Sequence, residues 1–164
     1  MAKISRKAWL WYFVALVIVL VDQLSKVWVS TNLTYAEPVT FTSFFNFTLL
    51  HNHGAAFSFL AEQGGWQRWF FALLAIIVSI VLVVWIARAV EKSKLESFAL
   101  AFILGGALGN LYDRIHLGHV VDFIVVHYQE HFWPAFNLAD SAITLGAFVL
   151  IADMLLKKEK KVHA

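Results

Sequence analysis

Apolar positions fall in four long blocks, separated by stretches that carry charges and turn residues. Residues 8–21 are apolar, and a helical pattern continues to about residue 29. Residues 69–87 contain no charged side chain. Residues 97–112 are uncharged and rich in glycine, and residues 137–156 are apolar apart from Asp140 and Asp153. A membrane-crossing helix needs about 20 mostly apolar residues. The pattern therefore predicts four spans, at about 8–29, 69–87, 97–112 and 137–156.

Composition supports lipid as the solvent. Hydrophobic residues make up 60% of the 164 and charged residues 15%, against roughly 25% charged in an ordinary soluble domain. The chain is expected to form one domain. A formal charge of +2 is too small to point to nucleic acid. With no cysteine, disulfides, thiolate metal sites and a cysteine nucleophile are excluded. The first block superficially resembles a signal peptide, but Asp22-Gln23-Leu24-Ser25-Lys26 follows it where a small-residue cleavage site would stand. It is expected to be a retained span.

Lys and Arg set the orientation. Lys3, Arg6 and Lys7 precede the first span; Arg88, Lys92 and Lys94 lie between the second and third; Lys157, Lys158, Lys160 and Lys161 follow the fourth. These segments share one side, which is expected to be cytoplasmic, with both termini there. Two loops, at about 30–67 and 113–136, then face outward. Residues 39–50 read as short β-strands, with Phe41, Phe44, Phe45 and Phe47 supplying bulk. Pro38 marks an edge or turn, and Gly64-Gly65 closes the loop. Trp28, Trp66, Trp69 and Trp133 lie near the outer boundary, where amphipathic rings are favoured.

On this topology Asp22, Asp113, Asp122 and Asp140 converge near the outer face, and Asp153 lies at the other end. A charge within the bilayer costs about 2.5–3.5 kcal/mol on insertion scales, so it marks a functional candidate. The structural alternatives are concrete. Asp22 can pair with Lys26 one turn on, and Asp113 with Arg114 beside it. Asp140 can serve as the N-cap of the fourth span. Asp122, in Val120-Val121-Asp122-Phe123-Ile124, has no cation closer than His119. Asp122 and Asp140 at one depth form a candidate dyad. Two close carboxylates in a low dielectric share one proton. The ionised partner then activates water while the protonated one hydrogen-bonds the scissile carbonyl. That chemistry requires neither metal nor cofactor.

Other chemistries are poorly represented. No Gly-x-Ser-x-Gly elbow or His-Glu-x-x-His helix occurs. His51-x-His53 or His116-x-x-His119 could bind zinc, but no compact motif gathers three ligands, and ordinary interfacial histidines are the expected reading. Gly105-Gly106-Ala107-Leu108-Gly109 gives the third span a small face for close helix contact.

Five blocks together resemble the lipoprotein signal peptidase (signal peptidase II) family. They are Asp22-Gln23-Leu24-Ser25-Lys26, Asn52-His53-Gly54-Ala55-Ala56-Phe57-Ser58, Gly105-Gly106-Ala107-Leu108-Gly109-Asn110-Leu111-Tyr112-Asp113-Arg114, Val120-Val121-Asp122-Phe123 and Phe136-Asn137-Leu138-Ala139-Asp140-Ser141. They occur in the family's order and span almost the whole chain. The stretch 57–71 is similar to the proteobacterial branch.

The resemblance implies an aspartyl endopeptidase that cuts bacterial prolipoproteins just before a diacylglyceryl-modified cysteine, on the outer side of the cytoplasmic (inner) membrane. It implies Asp122 and Asp140 as the catalytic pair. Asp22, Lys26, Asn52, Gly54, Asn110, Arg114, Asn137 and Ala139 would surround or support them. It also implies a membrane-lying β-cradle from the first outer loop and a short periplasmic helix in the second. The expected fold is thus a membrane all-α bundle of four spans with these additions. The expected partners are the lipidated substrate and membrane lipid, with no nucleic acid, and the expected state is monomeric. A proton-coupled transporter using the same acidic cluster is the competing reading. It needs a polar path to the far side, where Asp153 is the candidate and the second span offers only Ser79.

Overall fold

The computed structural model describes residues 5–54 and 65–162, with side chains as far as residue 157. Residues 55–58 of the second motif block and Gly64 lie outside that description, as does much of the 57–71 stretch. The elements in chain order are α1 (Arg6–Asn32), β1 (Val39–Thr42), β2 (Phe45–Asn52), α2 (Trp66–Ala89), α3 (Lys94–His116), β3 (Val120–Tyr128), β4 (His131–Phe132) and α4 (Leu138–Val162). All four helices are long and apolar enough to cross a membrane.

The helices are packed in the manner lipid requires. Along α1 the buried positions are Ala8, Ala15, Asp22, Lys26 and Val29, which share one face of the helix. Trp9, Phe13, Leu20, Leu24 and Val27 are exposed. Small and polar groups thus face the bundle while large apolar ones face outward, because lipid does not drive leucines inward as water does. The most apolar window of α3 is 61% buried, against 22% for each of the others. The third helix is therefore the central one, packed against α1, α2 and α4.

Glycines allow that packing. A Cβ on Gly105 would lie 2.8 Å from the Ala15 carbonyl of α1, and one on Gly109 would lie 2.6 Å from the Asp22 carboxylate. A Cβ on Gly106 would strike the Ala139 carbonyl of α4, and one on Gly146 would meet the Ala99 carbonyl of α3. The expected small face is therefore real, and α4 returns the contact with a glycine of its own.

A four-stranded antiparallel sheet, ordered β1-β2-β3-β4, lies at one end of the bundle. The strands expected at 39–50 are present and run on to Asn52. The second inter-helix segment departs from expectation in two ways. No helix occurs between α3 and α4; residues 120–128 form β3. Val120, Val121, Val125 and Val126 are β-branched and suit a strand. Pairing with β2, including Leu50 opposite Asp122, satisfies backbone groups that a short helix would have left exposed at its ends. In addition α3 continues to His116, so Asp113 and Arg114 belong to the helix rather than to a loop. Gly118, at φ +83°, then turns the chain into β3. Val29, Leu49, Val121 and Phe123 form the core that joins α1 to the sheet.

Replacing glycine by alanine inside an exposed helix normally stabilises it by about 1 kcal/mol. Gly106→Ala should do the reverse and lower the melting temperature of the purified protein in detergent, because the new methyl meets α4 backbone. A raised melting temperature would contradict the close approach of α3 and α4.

Candidate active site

Five elements meet at the sheet end of the bundle. The α1 helix supplies Asp22 and Lys26, one turn apart; α3 supplies Asn110, Asp113 and Arg114, again within about one turn. Asn52 ends β2, and Asp122 sits third in β3. Asn137 immediately precedes α4, and Ala139 and Asp140 lie in its first turn.

Lys26 is the hub. Its ammonium lies 2.8 Å from Asp22 Oδ2 and 2.8 Å from Asp113 Oδ2, and it donates to Asn110 Oδ1 at 2.9 Å. Three donors thus meet three acceptors, in a group whose Lys26, Asp22 and Asp113 side chains are all within 3% of complete burial. Such satisfaction is what allows buried charge to persist. The cluster also fixes backbone. Asp22 Oδ1 accepts from Ala139 N at 2.9 Å, which ties the start of α4 to α1. Asp113 Oδ2 accepts from Val121 N at 3.2 Å, which ties β3 to α3.

This arrangement revises one expected pairing. Asp113 does not pair with Arg114. Neighbouring residues on a helix point about 100° apart, and Asp113 turns inward to share Lys26 with Asp22. Arg114 instead donates to the Gly54 carbonyl at 3.1 Å and stands over the Phe71 ring.

Asp122 and Asp140 are held by asparagine amides. Asn137 Nδ2 donates to Asp122 Oδ1 at 2.7 Å, and Asn52 Nδ2 donates to Asp122 Oδ2 at 3.0 Å. Asn110 Nδ2 donates to Asp140 Oδ1 at 2.7 Å. Asn137 Nδ2 also contacts Asn110 Oδ1 at 3.2 Å, so the two carboxylates belong to one network. Asp140 is not the N-cap of α4. That place belongs to Asn137, whose Oδ1 accepts from Asp140 N at 2.9 Å. Asp140 Oδ2 in return accepts from Asn137 N at 3.3 Å, the reciprocal exchange of a capping box. Its other oxygen is left for Asn110.

Burial pushes the Asp122 carboxyl up to about 7, and the charge of Asp140 adds to the rise. Hydrogen bonds from Asn52 and Asn137 oppose it without overcoming it. Burial and the neighbouring carboxylate thus both favour the protonated form of Asp122.

All ten residues singled out from sequence lie in this connected region: Asp122, Asp140, Asp22, Lys26, Asn52, Gly54, Asn110, Arg114, Asn137 and Ala139. Two contributors carry no signal in hydropathy or charge pairing. Gln23 donates to both Asp22 Oδ2 and Asp113 Oδ1. Its place beside Asp22 in the first motif block was the available hint. Arg68 of α2 donates to the Arg114 and Ile115 carbonyls, capping the end of α3. The histidines divide differently from their sequence spacing. His119 stacks on His51 at 3.9 Å, whereas His116 stacks on Tyr112. Among the described residues no group of three His, Cys, Asp or Glu is arranged to hold a metal.

Comparison with known proteins decides the family. A family model described as signal peptidase II matches residues 14–156. The chain belongs to the signal peptidase II family. A lipoprotein signal peptidase of Cellvibrio japonicus is 60% identical over 158 residues, covering 96% of this chain and 93% of the relative. Another, from Pseudomonas aeruginosa, is 52% identical over 159 residues and covers 96% and 93%. A solved bacterial membrane enzyme superposes with a TM-score of 0.79 at 30% identity, covering 91% of this chain and 89% of its own. As a signal peptidase II family member, the chain is a multi-pass bacterial membrane protein of the peptidase class.

Within this signal peptidase II fold, Lys26→Met would leave two buried carboxylates without their cation. The expected cost is about 3–5 kcal/mol, seen as a large fall in melting temperature. Adding Asp113→Asn should recover part of the loss, and a Lys26→Met protein that melts like the parent would show that the cluster holds nothing together.

Proposed function

We propose that this chain removes signal peptides from prolipoproteins, with Asp122 and Asp140 as its catalytic dyad. One observation carries the assignment of residues: two carboxylates share an asparagine network, and one of them is raised to about 7. At neutral pH the dyad then holds one proton. The ionised carboxylate takes a proton from water, and the hydroxide equivalent attacks the scissile carbonyl. The protonated partner donates to the developing oxyanion. A proton returned to the nitrogen lets the amine leave. Asn110, Asn137 and Asn52 orient the carboxylates, and Lys26 acts on Asp140 through Asn110 by polarising its amide.

The substrate is a prolipoprotein whose cysteine carries diacylglycerol. Its acyl chains stay in the bilayer, so the bond just before that cysteine is presented where lipid meets water. The carboxylates sit at one end of the bundle, beside a sheet with exposed Phe41, Phe44 and Phe132. In this reading that end is periplasmic, both termini are cytoplasmic, the membrane is the inner one, and the monomer suffices. The transporter reading finds no support. The family is one of peptidases, and Asp153 at the opposite end is paired with Lys157.

With purified, diacylglyceryl-modified prolipoprotein, the parent should cut and the folded Asp122→Asn and Asp140→Asn variants should lose about 10²–10⁴-fold or more in rate. Substrate lacking the lipid should be cut poorly. Retained cleavage in either variant removes that residue from the dyad, and indifference to the lipid removes the account of substrate presentation.

A pH series gives an independent check. The dyad loses its last proton as pH rises through about 7, so the rate should fall on that limb. The stability sign is the opposite of an ordinary salt-bridged aspartate. A raised folded pKa means that the folded state holds the extra proton between about pH 4 and about pH 7, so its stability falls as pH rises through that window. Asp122→Asn should lack this fall, and a melting profile parallel to the parent's would sink the assignment of the raised group.

A further inference from the structure

At the end of the bundle remote from the carboxylates, a groove of about 570 Å³ opens along α2. Its floor is Ile80, Val81, Val84 and Trp85, and Arg88 and Lys92 stand above it. Each of the four floor residues is exposed. The floor belongs to a membrane-crossing helix and the cations follow its last apolar turn, so the groove passes from hydrocarbon depth to headgroup depth.

The charges around the groove are unequally matched. Glu96 also lines it, but Glu96 Oε2 lies 2.9 Å from Lys157 Nζ and Oε1 accepts from Trp85 Nε1 at 2.8 Å. The other nearby acid, Glu91, takes Lys7 at 2.8 Å and the Ser5 hydroxyl at 2.8 Å. Glu96 thus shares the Lys157 ammonium with Asp153 and is held by Trp85, while Glu91 is held by Lys7 and Ser5. Among the described residues, Arg88 and Lys92 make no ion pair or side-chain hydrogen bond. Two cations with no direct side-chain partner among the described residues therefore stand over an apolar trough. The bond from Trp85 to Glu96 holds the indole ring in the groove lining, at the depth such rings favour.

We infer that this groove is a binding site for one anionic glycerophospholipid, with its phosphate on Arg88 and Lys92 and an acyl chain along Ile80, Val81 and Val84. The volume lies within the range of small-molecule sites. Basic pockets beside membrane helices select phosphate headgroups by charge. A zwitterionic lipid is disfavoured because the carboxylate that would take its ammonium is already held by Lys157. A free phosphate would leave the apolar floor uncovered. The proposal does not depend on the peptidase reading, since none of these residues touches the site at the other end.

The test is native mass spectrometry of the detergent-purified full chain with added dioleoyl phosphatidylglycerol or dioleoyl phosphatidylcholine. The parent should retain one phosphatidylglycerol and little phosphatidylcholine. Arg88→Gln with Lys92→Gln should reduce retention about tenfold, the scale of a lost charge-assisted contact or two. Arg88→Lys with Lys92→Arg should keep it, and so should Lys94→Gln, which removes an exposed cation outside the groove. Melting temperature measured without lipid shows whether each variant is folded, and the charge-preserving pair answers the question if the Gln pair is not. Equal retention of phosphatidylcholine, an equal loss in Lys94→Gln, undiminished binding in a folded Gln pair, or displacement by inorganic phosphate would each overturn the site.

Discussion

The buried ion cluster around Lys26 is the constraint on which the rest of the structure depends. A lone ammonium or carboxylate at that depth would be intolerable. Lys26, Asp22 and Asp113 are acceptable because each of their charges has a partner within hydrogen-bonding distance. The two carboxylates also hold backbone: Asp22 Oδ1 takes the Ala139 amide at the start of α4, and Asp113 Oδ2, besides Lys26, takes the Val121 amide at the start of β3. Both proposed catalytic residues lie within a residue of those two anchored amides. The position of Asp122 and of Asp140 is therefore set from α1 and α3, helices that carry neither of them.

A second economy lies in Asn137. It caps α4, supports Asp122 and touches Asn110, which in turn supports Asp140. A helix N-terminus would ordinarily draw an ionised acid to its cap. Here the cap is a neutral amide and the acid is set back three residues, in the reciprocal position. That leaves one Asp140 oxygen for Asn110 instead of spending both on the helix end. Asp122 lies outside the helices, in a strand, where burial and its acidic neighbour work together to raise its carboxyl. The proposed dyad mechanism rests on one proton being divided between these two carboxylates.

The bundle makes this geometry possible by packing tightly where it is polar. Gly109 lets the Asp22 carboxylate lie flat against α3, and Gly106 lets the Ala139 carbonyl approach the same helix. Side chains at either position would separate the helices that the ion cluster joins. The large apolar residues are left to face lipid, and at the far end of α2 they form the trough beneath Arg88 and Lys92.

The chain itself determined the four spans, the strands near residues 39–50 and the gathering of aspartates at one end. These depend on local signals: apolar run length, β-branched and aromatic bulk, and the sidedness of Lys and Arg. The motif blocks also carried the family and, through it, the ten candidate site residues that the fold brings together. What only the tertiary structure decided was who partners whom. Asp113 and Arg114 are adjacent in sequence yet turn apart on the helix, one to Lys26 and the other to Gly54. Asp140 read as a cap, and the cap proved to be Asn137. The segment after α3 became a strand because β2 lay beside it to supply hydrogen bonds. Gln23 entered the cluster because α3 approached it. Hydrogen-bond and ion-pair choices are made between elements remote in sequence, and the energies that decide them arise only once packing has excluded water and lipid from between those elements.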